Sequence, residues 1–320
     1  MNRISFFYLL LVLGLAQSPV ALAEEKANDG FPKVKHMIDT HIHLYDTERE
    51  KKVPWPPETD TVLYKPHMPE EFNRVSKPTG LTGVVIVEAT HRLEDNDWVL
   101  DLVKDDPFYV GLVGNLDLDL DPKIFSEQLD DKAKDKRFVG IRARKKTKYD
   151  FTNETVLTNL RTLAKKGLSV DILCGGSTGP EAGNQVDQLA KDVPELRIVV
   201  DHVFGYLVDG KEPTKEWVES IEKAAKNPNV FCKVSGLYQR CIVVPAPTNT
   251  DHYRSILDVI WKNFGKERVI YGSNWPCTKR SGDYASFVRM VNGYFSEKGQ
   301  DACEHYFWKN ANRAYRLGLE

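Results

Sequence analysis

Short runs of apolar and β-branched residues recur along the chain, and each is followed by a polar stretch carrying apolar residues at helical spacing. Eight such runs stand at 37–44 (MIDTHIHL), 83–89 (GVVIVEA), 110–115 (VGLVGN), 138–143 (FVGIRA), 168–174 (LSVDILC), 197–203 (RIVVDHV), 230–236 (VFCKVSG) and 268–274 (RVIYGSN). Their starts lie 46, 27, 28, 30, 29, 33 and 38 residues apart, room each time for a strand, a helix and two loops. Eight βα units in series predict a (β/α)8 barrel, an α/β fold of the TIM type. The intervening stretches agree: 153–166 puts Val156, Leu160 and Leu163 on one helical face, and 214–226 does the same with Trp217, Ile221 and Ala224. A further amphipathic stretch at 301–315 exceeds the eight units and is expected under or beside the barrel. The wide first gap, 45–82, holds Pro54, Trp55, Pro56 and Pro57, which predicts a long loop over the active face. An open doubly wound sheet is the alternative fold, but it expects a Gly-rich phosphate turn after the first strand and none stands there.

The amino-terminal 23 residues follow a different logic. Arg3, an apolar run from Ile4 to Leu15, and Ala21-Leu22-Ala23 before Glu24 and Glu25 predict a signal peptide, leaving 24–320 as a single exported domain, periplasmic or secreted. The run is short for a bilayer span, so no stable membrane insertion is expected after its removal. A net charge of −2 carries no basic excess, which argues against a nucleic-acid partner. Five cysteines without a C-x-x-C pair form neither a disulfide scaffold nor a zinc ribbon, although one disulfide remains open after export; Cys232, inside an apolar run, reads as a buried small hydrophobe.

Barrel enzymes carry their working groups at the carboxyl ends of the strands. There this chain places Asp39, His41 and His43 (strand one, one parity, hence one face), Glu88 (two), Arg142 and Arg144 (four), Asp201 and His202 (six), Lys233 and Ser235 (seven), and Asn274 with Trp275 (eight). An H-x-H on a strand points both imidazoles the same way, where they can share one divalent cation. Arg142 and Arg144 offer positive forks for a carboxylate or a developing oxyanion, and Glu88 either meets substrate or pairs with Arg142. Lys233 is a charge in a barrel wall, expected to meet substrate. Trp55 and Trp275 are candidate pocket walls, with loop packing the alternative for each.

These segments in order, IDTHIHL at 38–44, VDH at 200–202, CKVSGL at 232–237, YGSNWP at 271–276 and NANRAY at 310–315, resemble the amidohydrolase-related metal-dependent hydrolases, and most the branch of sugar-lactone and 2-pyrone-4,6-dicarboxylate lactonases. The resemblance implies a distorted barrel that opens a lactone or related ester, with a small-molecule lactone or sugar acid as ligand and, in many relatives, a divalent metal such as zinc or manganese held by His41 and His43. It also implies an acidic base at the end of strand eight. That position is Asn274, whose amide accepts a hydrogen bond but cannot act as a base near neutral pH. Asp201 or His202 is then expected to relay the proton, with Arg142 and Lys233 on the oxyanion. No histidine ends strand five, where Asp171 and Cys174 stand. Two further readings stay open: a non-catalytic binding homologue, because of Asn274, and a metal-dependent decarboxylase, against which the missing strand-five histidine counts.

Overall fold

The computed structural model describes residues 29–143, 150–174 and 180–320, so the signal segment expected at 1–23 and the candidate Arg144 lie outside the described residues. Eight strands form: β1 (Ile38–Ile42), β2 (Gly83–Val87), β3 (Tyr109–Gly114), β4 (Phe138–Ala143), β5 (Ser169–Ile172), β6 (Arg197–Val200), β7 (Val230–Val234) and β8 (Val269–Tyr271). They are parallel and pair in chain order. The ring closes where β1 meets the segment after β8: Asn274 N donates to His41 O at 2.7 Å and His43 N donates to Trp275 O at 2.8 Å. Closure excludes the open doubly wound sheet.

The helices are α1 (Pro69–Ser76), α2 (Glu94–Leu102), α3 (Pro122–Lys132), α4 (Glu154–Lys165), α5 (Pro180–Asp192), α6 (Lys215–Ala225), the single turn α7 (Leu237–Arg240), α8 (Arg254–Phe264), α9 (Tyr284–Glu297), α10 (Gln300–Glu304) and α11 (Asn310–Tyr315), the last two joined through a π turn at His305–Lys309. α4 and α6 start where capping chemistry allows: the Asn153 side chain accepts from the backbone of Thr155 and Val156, and Thr214 accepts from Trp217 N. Their apolar faces, Val156, Leu160 and Leu163 on one and Trp217, Ile221 and Ala224 on the other, are buried against the barrel.

Apolar residues of the strands split into two layers. One packs outward against the helices. The other, Ile38, Val85, Val87, Val113, Val139, Val199, Phe231 and Ile270, fills the lumen together with Ala311, Ala314 and Tyr315 of α11. The carboxyl-terminal stretch thus enters the barrel from the end where the strands begin, and the opposite end is left to polar groups.

β1 departs from simple alternation. Ile38 faces the lumen, yet the Asp39 carboxylate accepts from Ser273 N (2.9 Å), Tyr284 OH (3.1 Å) and His41 N (3.0 Å), a set contributed largely from β8's end and α9. The pairing register with β2 shifts between Asp39 and Ile42, so Asp39 does not share the face of His41 and His43 as strict period-two reading expects. All five cysteines are buried thiols, and among the described residues no disulfide joins any two of them, so the one left open above is not formed.

Candidate active site

The polar end of the lumen is built from four strand ends. His41 from β1, Asp201 and His202 after β6, Arg142 from β4 and Lys233 from β7 are all buried there. One ligating atom each from His41, Asp201 and His202 falls within 4.8 Å of the others. His41 Nδ1 lies 3.3 Å from Asp201 Oδ1, and the rings of His41 and His202 are 4.4 Å apart. His43 stands beside this trio, its ring 5.0 Å from that of His41, with Nδ1 against Val87 O at 3.0 Å. The tight group therefore joins His41 to Asp201 and His202, and the second histidine of the H-x-H flanks it.

Burial sets the charge states. It holds the His41 and His202 imidazoles well below the usual histidine range; Asp201 pulls the other way, while the neighbouring cations reinforce the effect. Burial alone would raise Asp201, but Lys233, His41 and Arg142 around it bring its carboxyl well below the usual range. Asp201 is thus held as an anion. His202 Nδ1 sits 2.9 Å from Ser235 Oγ, and Arg142 Nη2 is 3.4 Å from His202 Nε2. A donor on that side fits a neutral ring protonated at Nδ1, with the Nε2 lone pair turned to the site.

Arg142 is committed more deeply than a free fork. Its Nε and Nη2 each reach Asp201 Oδ2 at 3.0 Å, and Nη1 lies 3.7 Å from Glu88 Oε1, so Glu88 takes the pairing role. Lys233 is ion-paired inside the barrel. Its ammonium, fully buried, donates to Asp171 Oδ2 (2.5 Å) and Thr40 O (3.1 Å), and lies 3.4 Å from His41 Nδ1 and 3.3 Å from Asp201 Oδ1. Asp171, pushed up to about 6 by burial against the pull of Lys233, also accepts from Tyr315 OH. The strand-five position that lacks histidine is an internal salt bridge.

Asn274 is held in left-handed backbone (φ 61°), and its Nδ2 donates to Gln239 Oε1, which leaves Oδ1 buried and, among the described residues, without a hydrogen-bond partner. Trp55 is half-buried, its ring 5.7 Å from that of His43, a position from which it can wall the pocket. Trp275 does not: its ring packs on His67 (5.3 Å) and Phe72 (5.1 Å), interior to the loop layer. Sequence reasoning missed Gln239 and Arg240 on α7. Arg240 lies close enough to help keep His202 neutral, and no periodic signal marks a four-residue turn. Asp171 opposite Lys233 did carry a signal, two opposite charges on apolar strands.

Residues 38–317 match the amidohydrolase family profile. The chain belongs to the amidohydrolase family. Among relatives of this amidohydrolase, an L-fucono-1,5-lactonase of Burkholderia ambifaria is 28% identical over 291 residues, covering 88% of this chain and 95% of the relative. An amidohydrolase of Burkholderia multivorans crystallised with zinc superposes with a TM-score of 0.75 at 20% identity, over 88% of this chain and 99% of its own. A probable 2-pyrone-4,6-dicarboxylic acid hydrolase of Acinetobacter baumannii with bound citric acid gives 0.65 at 17%, over 89% and 100%. At such identities the two structures speak for the fold.

Proposed function

We propose that this amidohydrolase opens a small sugar lactone by attack of water on the ring carbonyl. The observation that carries the reading is the buried polar pocket at the strand ends, where, among the described residues, His41 Nε2 and Asn274 Oδ1 have no hydrogen-bond partner beside two neutral imidazoles. Buried polar atoms left open in this way call for a polar ligand. The similarity to L-fucono-1,5-lactonase supports the lactone class.

The donor set fits a divalent cation: one carboxylate and two neutral imidazoles, close together, with His41 Nε2 otherwise unengaged. His41, Asp201 and His202 would hold it. A bound ion would supply Lewis-acid polarisation of the lactone carbonyl. The chain's own groups do the rest. Asn274 Oδ1, fixed by Gln239, accepts a hydrogen bond from the attacking water and orients it. In the metal-free centre His202 Nε2, 3.4 Å from Arg142 Nη2, takes the water's proton as Arg142 turns its charge from that lone pair to the developing oxyanion. The same proton returns to the ring oxygen as the C–O bond breaks. Decarboxylation is disfavoured because the strand-five position is committed to Lys233. The composition of residues 1–23 supports export of the chain.

The test is a pH-indicator assay of residues 24–320 on a panel of aldonolactones, with chelated and with zinc- or manganese-supplemented protein, and Asn274→Asp alongside. Turnover by the natural sequence is expected. Activity confined to the Asn274→Asp variant would instead mean a binding protein that has lost its base.

A further inference from the structure

Asp201 and His202 are adjacent in sequence, and in extended backbone adjacent side chains leave opposite faces of a strand. Here both reach the lumen beside His41. The chain achieves this with a left-handed turn directly after β6: φ is 52° at His202, 46° at Val203, 58° at Phe204 and 76° at Gly205. Three of these residues are not glycine and Val203 is β-branched, a type that rarely adopts such backbone. A turn of this kind persists only where its surroundings hold it. The surroundings are specific. Trp217 of α6, fully buried, donates its indole Nε1–H to Val203 O at 3.1 Å, and Arg240 Nη1 donates to Gly205 O at 2.8 Å. A Cβ at Gly205 would collide with the carbonyl oxygen of Cys174, so the turn has one tightly seated end.

We propose that Trp217 is a positioning residue: its indole N–H holds the strained turn in the left-handed form and thereby sets His202 beside His41 and Asp201. The proposal rests on the reading of these three as the working centre, and it assigns a role to a helix residue outside the pocket. Trp217→Phe keeps a ring in place and removes the donor. Incorporation of β-(3-benzothienyl)alanine at 217 keeps the bicyclic shape, again without the N–H, and covers the case in which the Phe variant folds poorly.

Two readouts are taken, kcat and KM on a turned-over lactone and the NMR cross-peak between the rings of His41 and His202 in histidine-labelled protein. Loss of the donor is expected to lower kcat about 10-fold with KM moving less than about twofold, as for a small misplacement of a reacting group, and to weaken the cross-peak. Wild-type kcat and cross-peak in the donor-less proteins would overturn the proposal. So would a fall in kcat with the cross-peak unchanged, since the indole would then not act through the turn. If no lactone is turned over even by the natural chain, the functional reading fails while the cross-peak series still decides on the turn.

Discussion

His202 combines the properties a general base needs: burial keeps it neutral, Ser235 fixes one nitrogen, and the other faces the pocket. Replacing it by asparagine leaves a polar side chain of smaller reach and removes the basic lone pair. His202→Asn is expected to lower kcat by roughly 10² to 10⁴, the usual worth of general-base assistance, with KM changed by only a few fold. Steady-state kinetics on chelated protein check it, and a kcat within a factor of about three of wild type would move the base elsewhere. The identity of this residue was readable because a histidine ending a strand of a barrel has few places to point. The depth of Lys233 was not. Sequence parity puts its side chain in the lumen but says nothing of whether it rises to the mouth or stays below, and that is decided by Asp171 on β5, 62 positions earlier in the chain, and by Thr40 O. Asn274 was readable as a departure, whereas its clamp by Gln239 depends on a short turn with no pattern of its own.

Among elements, the strands were the most legible, because each is a β-branched run set off by polar helix. The stretches read at 153–166 and 214–226 from their apolar faces became α4 and α6, which start just after the caps Asn153 and Thr214. What could not be read were two local breaks in regularity: the register shift in β1, set by hydrogen bonds from Ser273 and Tyr284 far along the chain, and the left-handed turn after β6, set by Trp217 and Arg240. Both are set by contacts from other elements and not by the residues that bend. The carboxyl-terminal stretch was expected under or beside the barrel; α11 in fact contributes to the lumen itself, where Tyr315 OH donates to Asp171 at 3.0 and 3.1 Å. Its phenol, raised well above the ordinary range by burial and by Asp171, stays a donor across the working pH range. Tyr315→Phe is expected to cost about 1–3 kcal/mol, because it strips a hydrogen bond from a buried acceptor without supplying water. Urea unfolding measures it; an unchanged midpoint and slope would mean that Lys233 alone satisfies Asp171.

At the scale of the whole molecule, the closed site stores its buried titratable groups in opposing senses, and this shapes stability against pH. His41, His202 and the more peripheral His67 all have folded pKa values below the ordinary 6.5, with burial the leading cause. Above that pH both folded and unfolded chains carry them neutral. As the pH falls below it, the unfolded chain binds protons that the folded one refuses, so stability drops. Asp171, at about 6, and Asp39, raised by burial, behave in the reverse sense: between the ordinary 3.8 and their folded values the folded chain holds the protons, so stability rises as the pH falls through that window. Between about pH 7 and 6 the imidazoles act nearly alone, whereas below 6 the two carboxyls oppose them. Asp201, held low by Lys233, His41 and Arg142, adds a loss only under acid, when the pH falls below its unfolded value and through its folded one. Urea-unfolding free energies of chelated protein are therefore expected to decline from pH 7 to 6, to decline less steeply below 6 while the carboxyls oppose the imidazoles, and to fall steeply again toward pH 3. Replacing Asp171 by asparagine removes one of the opposing carboxyls and should steepen the decline below pH 6. A profile that climbs steadily from pH 7 to 5 would show that the two imidazoles are charged in the folded protein, and with that the neutral centre on which His202 chemistry depends would be lost.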